Sequence, residues 1–341
     1  MALITFTDRG LYCAKADVYI DPWLPVPKAL ITHAHADHSR SGMGSYLAHH
    51  HSIPVMHHRL GDIQSEGVAY DQKVMINGVE ISFHPAGHIP GSSQIRLAHK
   101  GEVWVVSGDY KLTDDGLSAA YEPVKCQHFV TESTFGLPVY KWQTQDEVMR
   151  EINAWWAENN ANGITTVILG YALGKAQRIL ANLDLSIGEI FLHGAIVNSN
   201  IALEAAGYVF PKSERITRET NKKRYKGAIV IAPPSAMGSA WIRQFKPYQI
   251  GTASGWMALR GPRRRRNADR GFILSDHADW AELNEAVAMS EAENIYVTHG
   301  YTSVFSKWLT SQGLNAQIVQ TEYEGELAEI GESATKDPDP E

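Results

Sequence analysis

Over roughly the first 110 residues, apolar side chains come in short bursts separated by turns: "ALITF", "VYIDP", "KALITH", "EISFHP" and "EVWVVSGD". Bursts of this length, alternating or continuous, predict strands of a buried sheet. After Thr134 the texture changes. "QDEVMREINAWWAENN" sets Val148, Ile152, Trp155 and Trp156 at helical spacing and predicts an amphipathic helix. "TTVILG" then reads as a strand and "KAQRILANL" as a helix, with "EIFLHG", "GAIVIAPP" and "YQIGTAS" as further buried strands. Strands alternating with helices predict a mostly parallel sheet and an α/β fold class. After Gly271 the pattern returns to "GFILSDHAD", a helix over 279–291 and "NIYVTHG". The two changes of texture, near 135 and 272, predict one α/β domain inserted into another.

A chain of 341 residues has room for such an arrangement, and 44% hydrophobic with 20% charged residues is ordinary for a soluble globular protein. Apolar runs such as "VWVV" at 103–106 are too short to span a bilayer. "MALITFTDRG" lacks a basic segment followed by an apolar one, so no signal peptide is expected. With only Cys13 and Cys126, a disulfide framework is excluded and a reducing cytoplasm is the expected location.

Charge changes the picture through its distribution. The net charge is −7, but residues 322–341 alone sum to −7, so the rest is neutral. Within that rest, 212–226 and "RGPRRRRNADR" at 260–270 each sum to +5. Local basic stretches of this kind bind phosphate backbones; as bland surface loops they would merely be solvated. The closing "SATKDPDPE" has the composition of a disordered tail.

The chemistry concentrates in "ITHAHADHS". His33 and His35 are two apart and point the same way from an extended or looping backbone, while Asp37 and His38 follow at a turn. Four ligand-type side chains aimed in two directions suit two metal ions, and imidazole with carboxylate favours zinc or manganese over calcium. Further ligands stand where strands give way to glycine-rich loops: His88 in "PAGHIPGSSQ", Asp109 closing "VWVVSGD", and His299 in "VTHG". A carboxylate at Asp109 can bridge two ions. The denser "AHHHSIPVMHH" (His49, His50, His51, His57, His58) has no such placement and reads as helix surface and loop. His84, His99, His128 and His193 are isolated and read as structural.

Taken in order, "THAHADHS", "PAGHIPGSSQ", "SGDYK" and "VTHGY" resemble the motifs of the metallo-β-lactamase fold. "TESTFG" at 131–136 and "LSDHAD" at 274–279 resemble its β-CASP branch, whose members cut nucleic acids. "YALGKAQRIL" and "TASGW" resemble the Artemis-like nucleases, and most closely the bacterial DNA ligase-associated exonucleases. The resemblance runs from about residue 10 to 325. It implies a four-layer αβ/βα sandwich with an inserted β-CASP α/β cap: residues 1–135 and 273–328 form the metallo-β-lactamase domain, 136–272 the cap, and 329–341 an acidic tail. It implies that His33, His35 and His88 hold one metal and Asp37, His38 and His299 a second, with Asp109 between them. Asp21 would orient a ligand without binding metal, and Glu132 and His277 would form the branch-specific catalytic pair.

The activity so implied is a DNA exonuclease of repair, a hydrolase of phosphodiester bonds at 5′-phosphorylated single-stranded ends, working with two Zn or Mn ions. A pathway shared with an ATP-dependent DNA ligase and a helicase is implied only by the resemblance. Asp37 and Asp109 would act with the metals, and His277 would stabilise the phosphate or protonate the departing oxygen. Gly174, Lys175 and Arg178, where a strand meets a helix, are the candidate pocket for a terminal phosphate. Arg260, Arg263, Arg264, Arg265 and Arg266 are candidate nucleic-acid contacts. The main rival is a β-CASP ribonuclease, since a metal site that grips phosphate does not read the 2′-hydroxyl. A small-molecule hydrolase of the same fold is more remote, because basic stretches in a cap would then lack a purpose. A non-catalytic binding protein is the third reading, distinguishable by metal content.

Overall fold

The computed structural model describes residues 2–259 and 268–323. They fall into two compact units, Met1–Lys141 with Asp276–Gly325, and Trp142–Ser275. Both are mixed α/β, and among the described residues no helix is long and apolar enough to cross a membrane.

The first unit holds two sheets. One runs, in spatial order, through Thr5–Phe6, Leu11–Cys13, Val18–Ile20, Ala29–Ile31, Tyr46–His49 and Ser65–Val68. The other runs Asn315–Ile318, Asn294–Gly300, His128–Ser133, Glu102–Val106, Ser93–His99, Val79–Pro85 and Val74–Ile76. Side-chain alternation along these strands builds two cores at once. Val79, Ile81, Phe83, Ile95, Leu97, Trp104, Val106 and Val130 meet Leu11, Val18, Ile20, Leu30 and Leu47 of the facing sheet. The intervening Val105 and Phe129, with Ile295 and Val297, pack on the other side against Leu283, Val287, Phe305 and Leu309 from the helices Trp280–Ser290 and Thr302–Ser311. The helix Ser52–Leu60 lies along the first sheet, burying Val55 and Met56.

The second unit is built on one sheet whose strand pairs are all parallel, in the order Glu214–Arg215, Ile190–Leu192, Ile229–Ala232, Thr165–Leu169, Tyr248–Ala253, Arg270–Phe272. Both faces are covered. Ile168, Ile229 and Ile231 pack against Val148, Ile152 and Trp156 of the helix Gln145–Ala161, while Val167, Leu169 and Val230 pack against Tyr225, Ile242 and Phe245. That helix starts where its sequence says it should: Thr144 and Glu147 form a reciprocal capping box. The helix Gly194–Ala205 has no counterpart in the pattern reading, because the polar and apolar residues of "GAIVNSNIALEA" are spread around the helix and form no amphipathic stripe.

The strand ends of the first unit are held tightly enough to be tested. Gly300 has φ +87°, and a Cβ built on it would stand 2.3 Å from the Ser133 carbonyl oxygen. Ser133 Oγ in turn donates to the carbonyls of Thr298 and His299 (2.9 and 2.6 Å). Gly300→Ala is therefore expected to destabilise the protein by about 2 kcal/mol or more, read as a lower urea midpoint at unchanged slope. Wild-type stability in this variant would show that the strand end tolerates displacement.

Candidate metal centre

Strand Ala29–Ile31 delivers the chain into Thr32 and the histidine loop, which Asp21 organises from beneath. Its carboxylate accepts from Thr32 N at 2.8 Å, Thr32 Oγ1 at 2.6 Å and His38 Nδ1 at 2.8 Å. The Thr32 hydroxyl, having given its proton to Asp21, accepts from His33 Nδ1 at 3.0 Å. The same device recurs on strand Asn294–Gly300: Thr298 Oγ1 donates to Thr131 O at 3.0 Å and lies 3.3 Å from His299 Nδ1. His88 Nδ1 donates to Asp276 O at 2.8 Å. Four imidazoles thus have Nδ1 occupied from behind, which fixes the tautomer and leaves Nε2 facing inward.

Those Nε2 atoms converge on Asp109. Its Oδ2 lies 3.5 Å from His33, 3.6 Å from His38 and 3.8 Å from His88, and its Oδ1 lies 3.0 Å from His299. His35 Nδ1 stands 3.0 Å from His88 Nε2, and Asp37 Oδ2 3.7 Å from His38 Nε2. Two groups of donors result, His33–His35–His88–Asp109 and His38–Asp109–His299, each within 4.8 Å and sharing Asp109. Yet Nε2 of His33 and His38 are buried without a hydrogen-bond partner, and His299 Nε2 and Asp109 Oδ1 face only each other at 3.0 Å. Buried polar atoms are almost always satisfied, so a cluster of orphans aimed at common points fits cations that would satisfy them. Nitrogen-rich donors with a shared carboxylate suit zinc or manganese better than calcium.

The electrostatics agree. Burial, reinforced by neighbouring imidazoles (His38, His35 and His88 around His33, and His277 beside His88), pushes the His33 and His88 rings down, well below the ordinary range for His33, which favours the neutral, ligating form. Burial also opposes charge on His38, but Asp109, Asp37 and Asp21 outweigh it and raise it to about 10. That pocket attracts positive charge. Asp109 is held well below the usual carboxylate range, because His38, His299 and His277 outweigh its burial.

Beside this set, Glu132 accepts from His277 Nδ1 at 2.9 Å through one oxygen and from Tyr110 N at 2.8 Å through the other. It sits where strand His128–Ser133 shifts register against Asn294–Gly300, an irregularity that turns the side chain toward the centre. Ala278 N closes the loop by donating to Tyr110 O at 2.7 Å. The His277 and His88 ring centroids are 4.6 Å apart.

All seven sequence-derived ligand candidates, with Asp21, Glu132 and His277, therefore meet in one buried region of the first unit. The phosphate candidates do not behave as expected. Lys175 and Arg178 are 1% and 3% exposed. Arg178 donates to Ser275 O at 2.7 Å and to the Gln145 side chain. Gly174 (φ +93°) starts a helix of only seven residues, Lys175–Ala181. Both cations are buried, and Arg178 is engaged with Gln145 and Ser275 of the second unit. Arg260, Arg263, Arg264, Arg265 and Arg266 lie outside the described residues, as does the 329–341 tail. His49, His50 and His51, read from sequence as surface and loop, form a further cluster with donors within 4.8 Å. There His49 stacks on Tyr70 at 3.7 Å and accepts from His51 N, and His50 Nδ1 meets Val68 O at 3.1 Å. Sequence reading missed Thr32 and Thr298, although the dipeptide Thr-His at both strand ends was a usable signal. It also missed Tyr323, which stacks on His38 at 4.4 Å.

No family model matches the chain. A probable DNA ligase of Opitutus terrae is 30% identical over 94% of this chain, which spans only 31% of that relative's length. The cleavage and polyadenylation specificity factor subunit 3 of Dictyostelium discoideum is 31% identical over 35% of the chain and 15% of its own length. Endoribonuclease YSH1 of Yarrowia lipolytica is 22% identical over 69% of the chain and 35% of its own length. A solved protein of unknown function from Enterococcus faecalis V583 shares the fold, with a TM-score of 0.60 at 12% identity over 87% of this chain and 80% of that one. These relatives are consistent with the ordered motifs, which resemble those of the β-CASP nucleases of the metallo-β-lactamase fold.

Proposed function

We propose that this chain is a metal-dependent exodeoxyribonuclease, hydrolysing phosphodiester bonds at free or single-stranded DNA ends. The observation that carries the reading is the pair of buried donor sets sharing Asp109, with inward atoms that nothing in the protein satisfies. In this reading His33, His35 and His88 hold one Zn or Mn ion, Asp37, His38 and His299 a second, and Asp109 serves both. The first unit is the sandwich and Trp142–Ser275 its β-CASP cap. DNA is preferred over RNA because the relative named as a DNA ligase aligns along 94% of the chain, whereas several relatives named for RNA align over about a third. A repair setting alongside an ATP-dependent ligase and helicase, in the cytoplasm, extends the same reading. A preference for 5′-phosphorylated single-stranded ends extends the same reading; Lys175 and Arg178, which with Gly174 are its candidate pocket, are buried.

Bound divalent ions supply an activated water and neutralise the phosphate charge. The protein's own groups supply the rest. Asp109 keeps the two donor sets in register, and the Thr32, Asp21, Thr298 and Asp276 partners keep each imidazole's lone pair inward. Glu132 holds the proton on His277 Nδ1, so Nε2 can carry a second proton and give it to the departing 3′ oxygen. Glu132 is itself held ionised, His277 outweighing its burial, and an ionised carboxylate favours the doubly protonated ring.

Metal analysis of the purified chain is expected to find about two Zn or Mn ions, and chelation to lower Tm by about 5–10 °C. Asp109→Asn should lose most of the bound metal and the thermal shift; a metal-free wild type with unchanged Tm would favour a binding protein. His277→Ala should keep its metal but lose about 10²–10⁴-fold in kcat, with Glu132→Gln losing less. Full activity in His277→Ala would reduce that pair to an orienting hydrogen bond. The substrate is settled with 3′-labelled, 5′-phosphorylated DNA and RNA strands, Asp109→Ala serving as control. A ladder of shortening labelled DNA is expected for 5′→3′ digestion, and immediate labelled mononucleotide would mean the reverse polarity. Cleavage of RNA alone would replace the DNA reading with the ribonuclease, and cleavage of neither would bring forward the small-molecule hydrolase.

A further inference from the structure

After strand Asn315–Ile318 the chain crosses back over the histidine loop, and the loop itself holds it there. Arg40 Nη2 donates to Glu322 O at 2.6 Å while its Nε donates to Asp37 O at 3.2 Å. Tyr323 Oη donates to the Asp21 carbonyl at 2.9 Å. The Tyr323 ring lies parallel to His38, with centroids 4.4 Å apart and planes at 16°. It meets His299 edge-on at 5.8 Å and 84°, and Trp23 in the same manner at 5.6 Å and 81°. Its contacts thus fall on the two imidazoles of one donor set.

We propose that Tyr323 is a positioning residue for the His38–Asp37–His299 half of the centre, setting that half's cation affinity independently of the other. This rests on the two-set reading above. The physical basis is rotational. The Asp21 carboxylate fixes which nitrogen of His38 faces inward, but one hydrogen bond leaves the ring free to swing about it. A parallel aromatic face removes that swing and the edge of the same ring limits His299. The hydroxyl adds a tether to the backbone of Asp21, a non-glycine residue held at φ 43°. Groups that orient ligands in this way are worth about 10–100-fold in metal affinity.

The test titrates metal-stripped full chain with Co²⁺, followed by visible absorption, with circular dichroism as the folding control. His299→Ala identifies the step belonging to this half and His88→Ala the step belonging to the other. Tyr323→Leu is expected to weaken the His299-dependent step by about 10–100-fold and leave the His88-dependent step within about threefold. Tyr323→Phe, which keeps the ring, should recover most of the loss. Should Tyr323→Leu not fold, Arg40→Gln releases Glu322 without altering the ring and should weaken the same step. Unchanged steps, equal weakening of both, or equal loss in Tyr323→Phe and Tyr323→Leu would overturn the proposal. A single titration step abolished by both His299→Ala and His88→Ala would overturn it together with the two-set reading. Two intact steps with the Tyr323 effect, in a metal-replete chain that cleaves no nucleic acid, would support the proposal and count against the nuclease reading alone.

Discussion

The structure turns on one buried carboxylate. Asp109 stands within 3.8 Å of Nε2 atoms from His33, His38, His88 and His299, drawn from three separate loops and strand ends of the same unit. Removing such groups from water costs several kcal/mol per charge unless they are compensated. Hydrogen bonds among themselves compensate only in part, since Nε2 of His33 and of His38 has no partner. A hydrophobic core around this cluster is stable only if the cluster has another way to be satisfied. The arrangement therefore constrains function more strongly than any one motif does.

Everything behind the inward atoms serves to keep them inward. Two threonine hydroxyls, one aspartate carboxylate and one backbone carbonyl occupy the Nδ1 side of four rings. Each of these partners is anchored by strand or backbone contacts: Thr298 to the neighbouring strand, Thr32 to Asp21, Asp276 O in the segment that also carries His277. The two sheets with their outer helices hold these strand ends apart by fixed amounts. A register slip of one residue would point each histidine to the opposite face. Ser133, bonded to the carbonyls of Thr298 and His299, pins the register where slippage would do most harm.

Much of this was legible in sequence because it rests on short-range rules. A ligand next to a glycine at the end of an apolar strand identified Asp109 and His299, and the crowding in "ITHAHADHS" identified the loop. The helix Gln145–Ala161 was legible from its apolar spacing. What escaped depends on long-range packing. Lys175 and Arg178 look exposed in a glycine-flanked turn, yet the fold buries them, and Arg178 meets the Ser275 carbonyl ninety-seven positions away. Tyr323 stands about 300 residues from Asp21, and no local pattern announces that a tyrosine near an acidic stretch will cover a histidine. The helix Gly194–Ala205 escaped for a local reason, since its polar and apolar residues are mixed around the helix with no period to read.

Glu132 shows how His277 and the donor cluster around Asp109 form one device. One of its oxygens accepts from His277 and the other from the amide of Tyr110, the residue next to Asp109. Ala278, next to His277, then donates back to the Tyr110 carbonyl. A displacement of His277 is thereby transmitted through Glu132 to the backbone that carries Asp109, and the reverse. The helix that follows His277 adds a second tie, because Glu282 caps its own N-terminus and also accepts from Thr113 N at 2.7 Å, on the same loop as Asp109. In the proposed nuclease, an acid that protonates a leaving oxygen and a carboxylate that holds two donor sets would need a fixed separation, and this short circuit of hydrogen bonds would provide it.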